Sequence, residues 1–421
     1  MSSPSERLAV GQLGALLLDA GVSVTDTRTM LVDSIPQTLR DELSIAVLPA
    51  NVFIGETATA NASIVESPKE DLSLLQAART HRLMQRLAAG TNTLQEAAAQ
   101  IASIRAERPR HPDLRWVLGN ALISAGLATL FRCPWWAIVL ALVVGILVGG
   151  VMTWVRRLPG SVAILPFLAA FVSTLLVGGA AQALALGDVP LFAICAPVAL
   201  LVPGALITNS LLELTSVDTV TGTSRLIYGT IMLGFMAAGI AAGVAITGVQ
   251  INAASASRIG ETLSLSTAAT GWQGFPPTWF AWLGVVVLAI GVGVAFGADH
   301  VLIMVTIVMM VVTYGMLVGL GVLVGDVAAA GITACILFIA ARLLERTTRI
   351  APAVAFFQPA FLLLVPGTVG LVALTSLEGD SLFAALGTFV SLCIGTKLGA
   401  IVFDVGRSRR RGRDTLSPTA S

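Results

Sequence analysis

From about Trp116 onward the chain alternates between long apolar stretches and short polar ones. Before that point it does not. The apolar stretches form about ten spans, with approximate limits 116–131, 135–154, 162–185, 190–211, 225–248, 279–297, 301–320, 327–344, 352–375 and 383–404. A helix needs roughly 20 apolar residues to cross a hydrocarbon core, and these spans are of that order. The pattern predicts a mostly α-helical polytopic membrane protein.

The first 113 residues follow other periods. "ERLAVGQLGALLLDAG" has apolar residues at helical spacing and ends on Gly21, a C-cap signal. Thr25–Leu39 reads as a second helix. "LSIAVLPANVFIGE" and "ATANASIV" read as short strands. "SPKEDLSLLQAARTHRLMQRLAAG" carries a helix start at Ser67-Pro68 and a stop at Gly90. Thr93 followed by Glu96 is a capping box for the next helix. Thirteen of the 24 acidic residues fall between Glu6 and Asp113. The expectation is a small soluble α/β domain over 1–113.

Aromatic and arginine placement orders the remainder. Trp116, Trp135, Trp136, Trp154, Trp272, Trp279 and Trp282 all lie at or near span ends, where amphipathic rings prefer to sit. With residues 1–113 in the cytoplasm, inside loops hold Arg156, Arg157, Arg225, Arg342, Arg346 and Arg349. The tail adds Arg407, Arg409, Arg410, Arg411 and Arg413 on the same side. Outside loops hold Arg132 and Arg258. This asymmetry follows the positive-inside rule and puts both termini in the cytoplasm. The expected units are 114–249 and 279–405, each of five helices, an extracytoplasmic loop over 250–278, and a basic tail over 406–421.

One pentapeptide occurs twice. LLVPG spans Leu200–Gly204 in the fourth helix and Leu363–Gly367 in the ninth. Each is thus the fourth helix of a five-helix half. Five is odd, so the halves face opposite ways, an inverted 5+5 repeat. Proline lacks an N–H and glycine tolerates non-helical angles, so each copy predicts a broken helix. Discontinuous helices at a repeat interface bind substrate in transporters, by half-helix N-termini and unwound carbonyls. A kink that only shapes packing is the alternative.

The chain is 56% hydrophobic and 12% charged, with a net charge of +1, so charge points to no class of partner. Cys133, Cys195, Cys335 and Cys393 are isolated in or beside apolar spans and read as small hydrophobes, not metal ligands. Lys397 is the ionisable residue set well inside a span, where burial is costly. It could hold a substrate carboxylate, carry a proton, or snorkel to the headgroups. Asp188, Asp299, His300, Asp326 and Asp404 sit at span ends. His81 reads as a packing residue of its helix. The arginine tail reads as a lipid-touching anchor rather than a nucleic-acid site.

"LLVPGALITNSLLELTSVDTVTGTSRL" resembles the signature of the threonine/serine exporter family. The positions that carry the resemblance are Pro203, Gly204, Asn209, Asp218, Gly222 and Arg225. "LGALLLDAGVSVTDTRTML" and "HRLMQRLAAGTNTLQEAAAQIASI" resemble that family's cytoplasmic domain. "PAFLLLVPGTVGLVALTSL" resembles its smaller C-terminal membrane module. The chain departs from the pattern at "LFRCPWW" and matches loosely at "SIAVLPANVFIGE". The resemblance implies export of threonine, serine and similar small hydroxy amino acids, driven by the proton motive force, across a bacterial cytoplasmic (inner) membrane.

Expected substrate-binding residues are Pro203, Gly204, Thr208, Asn209, Pro366, Gly367, Thr368 and Lys397. Expected proton-coupling residues are Glu213, Asp218, Lys397 and Asp326. No cofactor, metal or catalytic set is expected. The expected partners are the substrate, protons and membrane lipids, and a homo-oligomer is compatible with this arrangement. A membrane-anchored enzyme with chemistry in 1–113 is the second reading, for which no catalytic constellation can be assembled.

Overall fold

The computed structural model describes residues 3–57, 61–68, 72–107, 110–158, 160, 163–214, 219–252, 271–348, 353–364 and 387–403. Residues 3–107 build their own hydrophobic cluster, running from Val10 to Ile104. Helix α1 (Pro4–Asp19) starts with the reciprocal Ser3–Glu6 capping box. Gly21 follows its end with φ +80°, a left-handed angle that suits glycine. The Thr25–Leu39 run folds as two helices, α2 (Val24–Ser34) and α3 (Gln37–Glu42), not as one. Pro36 is the reason: the residue before a proline avoids helical angles, and Ile35 is extended.

Strands β1 (Leu43–Val47), β2 (Asn51–Glu56) and β3 (Ala62–Glu66) form an antiparallel sheet in the order β1-β2-β3. Helix α1 packs against β2 and β3. Helix α4 (Leu74–Ala88) starts at a Ser73–Gln76 capping box, six residues beyond the start read at Ser67-Pro68. Helix α5 (Leu94–Ala106) opens on the Thr93–Glu96 box as expected.

The remainder is helical: α6 (Pro112–Leu130), α7 (Trp135–Val155), α8 (Leu165–Ala183), α11 (Thr219–Thr247), α12 (Phe280–Ala295), α13 (His300–Val324) and α14 (Asp326–Thr348). Helices α15 (Ala353–Leu364) and α16 (Gly387–Phe403) follow. Among the described residues, five helices are long and apolar enough to cross a membrane: α7, α8, α11, α13 and α14. Their outer faces carry a solvent signature. On α13, Val301, Met304, Val308 and Val312 recur at helical spacing and are all more than half exposed. The inward side of that helix buries Thr306, Met310 and Thr313. A polar-in, apolar-out helix fits hydrocarbon surroundings, not water.

Glycines set the helix crossings. A Cβ on Gly126 would lie 2.6 Å from the Leu288 nitrogen, and one on Gly284 would lie 2.8 Å from the Leu130 nitrogen. Residues 119, 123, 126 and 130 of α6 thus face 295, 291, 288 and 284 of α12, an antiparallel pair. Helices α8 and α11 run parallel, Phe167 meeting Gly239 and Gly178 meeting Thr247. Helices α14 and α16 also run parallel, Gly331 meeting Gly395 and Cys335 meeting Gly399.

The bundle has two distinct ends. Residues 3–107 sit at one of them. The Leu74 N–H donates to the Phe296 carbonyl, closing the α12–α13 turn onto α4. Arg342 near the end of α14 bonds Asp26 at 2.7 Å. Arg157 after α7 pairs with Asp113. At the other end the Trp135 N–H donates to Gly274, and the parallel two-residue strands β4 (Val189–Pro190) and β5 (Ile251–Asn252) pair. The arginines at 156, 157, 342 and 346 therefore gather at the end that carries residues 3–107.

Candidate functional site

The fourth apolar run does not fold as one α-helix. After β4, helix α9 (Leu191–Cys195) gives way to a 3-10 segment, Ala196–Leu201. Val202 is extended, with ψ 119°. The Gly204 N–H then turns back to the Val202 carbonyl at 2.8 Å, a three-residue turn over Pro203. The Ile207 N–H bonds the Pro203 carbonyl, starting helix α10 (Gly204–Leu214). Pro203 and Gly204 are both buried.

Pro197 extends the irregularity six residues upstream of Pro203. It has no N–H to give to Ile194, its partner three residues back. The Ser173 hydroxyl of α8 takes that place, donating to the Ile194 carbonyl at 2.7 Å. The Asn120 amide of α6 donates to the Pro197 carbonyl at 3.0 Å and to Gly145 of α7 at 2.9 Å. Ser124, one turn on, donates to its own helix at Asn120 and approaches the Ala196 carbonyl at 3.4 Å. All three side chains are fully buried. Freed backbone carbonyls inside a bundle must find donors, and Ser173 and Asn120 are donors here. Each bond between helices contributes on the order of 1 kcal/mol. Asn120 Oδ1 is buried without a hydrogen-bond partner among the described residues. Phe131 and Phe192 stack at 3.4 Å between ring centroids and pin the start of the run.

Helix α10 folds back on α11. Gly222 admits the close approach: a Cβ there would lie 2.7 Å from the Ser210 carbonyl. Across this hairpin Arg225 pairs with Glu213, whose side chain is 3% exposed. Helix α10 also packs against α15, so the helix after the first LLVPG touches the helix that leads into the second. The two copies differ locally. Leu200 and Leu201 are in the 3-10 segment, whereas Leu363 and Leu364 close an α-helix that contains Pro359.

The other expected site residues are scattered. Thr208 and Asn209 belong to α10, and their side chains lie outside what the structure describes, as do Asp218, Asp404, Pro366, Gly367 and Thr368. Lys397 is half-buried on α16 between buried Thr396 and exposed Leu398. Asp326 is exposed where α14 starts, at the end of the bundle opposite the Glu213–Arg225 pair. Asn120, Ser124, Ser173 and Pro197 are not among the residues expected from the sequence. A lone amide in "WVLGNALISAG" and a serine in "FVSTLLVGG" were the available signals, since polar groups in spans mark packing or function.

A second polar cluster joins residues 3–107 to α14. His81 of α4 is buried, with Nδ1 3.6 Å from the Glu345 carboxylate. Arg342 bridges Glu345 and Asp26. Burial pushes the His81 imidazole below its ordinary value; Glu345 opposes that shift and Arg342 adds to it. Among the described residues no group of His, Cys, Asp and Glu is placed to hold a metal ion.

No curated relative and no solved structure matches the chain. The sequence profile of the family described as "Putative threonine/serine exporter" matches residues 9–247, over half of the chain. That segment contains residues 3–107 almost whole, the 3-10 segment with its donors, Pro203–Gly204 and the Glu213–Arg225 hairpin, and this chain belongs to that family.

Proposed function

We propose that this protein is a secondary active exporter of small hydroxy amino acids, threonine and serine, driven by the proton motive force. It sits in a bacterial cytoplasmic membrane with both termini inside. The observation that carries the reading is the interruption from Pro197 to Gly204. A span that should be uniformly helical is opened at mid-run, buried, and furnished with polar donors from α6 and α8. Discontinuous helices of this kind offer backbone carbonyls to an ammonium and a helix N-terminus to a carboxylate. Both ends of an amino acid are thus provided for around Pro203, Gly204, Thr208 and Asn209.

Transport proceeds by alternating access between two five-helix halves of opposite orientation, 114–249 and 279–405. Three packing relations support this. The third and fifth helices of each proposed half, α8 with α11 and α14 with α16, pack in parallel through glycines. The first helices of the two halves, α6 and α12, cross antiparallel through glycines. Helix α10 of the first half packs against α15 of the second. Pro366, Gly367 and Thr368 would complete the site from the second half, with Lys397 as a counter-charge for the substrate carboxylate. Glu213, Asp218, Lys397 and Asp326 are the proposed proton-coupling groups. Residues 1–113 form a cytoplasmic domain that gates or regulates the bundle, and 406–421 anchor it to anionic lipid.

The test is direct. Purified protein in liposomes with labelled threonine on one side and an imposed pH gradient is expected to concentrate threonine, and serine in competition, against its gradient. Failure to move threonine, serine or any other small amino acid overturns the proposal.

A further inference from the structure

The buried hydroxyls of the membrane helices mostly satisfy themselves. Thr129, Thr174, Thr306, Thr313 and Thr396 each bond the carbonyl four residues back on their own helix. This is the low-cost arrangement for a hydroxyl in a span. Ser173 breaks the habit beside Thr174 and reaches across to Ile194. Asn120 breaks it further, spending both amide hydrogens on other elements, Gly145 of α7 and Pro197 of the 3-10 segment. Ser124 approaches Ala196 between them. Two donors from two helices, Ser173 and Asn120, therefore meet the Ile194 and Pro197 carbonyls of one four-residue stretch, with the Ser124 hydroxyl close to Ala196 between them.

The donors also hold this stretch in the form described. Glycine packing fixes α6 against α7 and α12, so Asn120 stands on a rigid element. A Cβ on Gly149 would lie 3.6 Å from the Asn120 amide nitrogen, and one on Gly145 would lie 2.5 Å from Ser124 Oγ. The amide orientation is settled by its surroundings, since two carbonyl acceptors require the nitrogen to face them. The 3-10 segment itself has poorer internal bonding than an α-helix, so an outside donor decides which conformation it keeps.

We propose that Asn120, seconded by Ser173, is a positioning residue for transport: it latches the Ile194–Pro197 backbone in the arrangement described above, and each cycle releases and remakes that latch. This rests on the exporter reading for its functional half, but the latch is a physical claim that can be read without transport.

Cys195 lies within the latched stretch, fully buried, while Cys393 is buried on α16 outside it. The experiment measures N-ethylmaleimide labelling of both cysteines by peptide mass spectrometry in the full-length protein in liposomes. Variants Asn120→Ala, Asn120→Asp and Ser173→Ala are compared with the wild type. Asn120→Asp keeps the shape and leaves at most one donor in place of two, the carboxyl O–H when it is protonated. The expected result is a rise of about tenfold in Cys195 labelling relative to Cys393 for the Asn120 variants, as loss of about 1.4 kcal/mol would give. A smaller rise is expected for Ser173→Ala. Threonine transport per folded protein should lose maximal rate with KM unchanged.

Unchanged Cys195 labelling in Asn120→Asp and Ser173→Ala overturns the latch. So does a rise that Cys393 shares, because that is general loosening. If Asn120→Ala does not fold, Ser173→Ala, which deletes one oxygen, decides the question. A wild type that moves no small amino acid defeats the exporter reading alone, whereas the labelling ratio stands or falls independently of it.

Discussion

Arg225 donates to the Glu213 carboxylate across the α10–α11 hairpin, and Glu213 is enclosed where the two helices meet at Gly222. Burial removes the Glu213 carboxylate from water, while Arg225 keeps part of its side chain exposed, so the carboxylate leans on the guanidinium. Replacing Arg225 by Met takes away the cation that offsets the Glu213 charge. The expected loss is about 3–5 kcal/mol of folding stability. A thermal melt in detergent reads it. Changing both residues to Gln together should cost clearly less than Arg225→Met alone. A wild-type melting temperature for Arg225→Met would mean that the pair does not hold the hairpin.

Gly126 and Gly150 are both helical glycines in apolar spans, but only one is at a crossing. A Cβ at 126 would collide with the backbone of α12, while one at 150 would meet nothing within 4 Å. Gly126→Ala should therefore destabilise the bundle, by about 1–3 kcal/mol for a forced backbone shift. Gly150→Ala should be neutral or stabilising, by up to about 1 kcal/mol from helix propensity. Equal melting temperatures for the two variants would refute the α6–α12 contact.

His81 makes the junction with α14 sensitive to acid. Its pKa is lowered in the folded protein, first by burial, with Arg342 adding to the shift and Glu345 opposing it. The unfolded chain therefore takes up this proton at a higher pH than the folded one, near about 6.5. Stability is complete above that value and falls as the pH drops from there towards the lower folded value. His81→Gln keeps a polar group and removes the titration. Its melting temperature should fall less than the wild type's between pH 7 and pH 5.5. Parallel curves would show that His81 does not titrate with unfolding.

The membrane-like apolar helices, the capping box at Thr93 and the strands within 43–56 were legible because each rests on a local pattern. So was the interruption at Pro203, since a proline-glycine pair in an apolar run has few conformational options. The donors were not legible. Nothing in the sequence brings Asn120 and Ser173 to the same stretch of backbone, because that meeting depends on how α6 and α8 pack around the fourth run. Pro197 shows a different failure. It lies six residues from Pro203, outside the repeated pentapeptide, and a lone proline in an apolar run is compatible with a simple kink. The Thr25–Leu39 run divides at Pro36, as the preference of a pre-proline residue for extended angles dictates.

Pro203 separates a functional break from a packing kink. Alanine at this position would regain an N–H, able to reach the Ala199 carbonyl four residues back. The turn that Gly204 makes to Val202 could then relax into helix and join the 3-10 segment to α10. Pro203 lies between the 3-10 segment and α10, where its missing N–H costs no helix bond, so its replacement should leave the protein about as stable as before. If the interruption only shapes packing, Pro203→Ala should transport normally. If the interruption binds substrate, the same variant should melt no lower than the wild type yet lose most of its threonine transport. Measuring both quantities on one preparation decides between them, because a misfolded variant would lose transport and stability together.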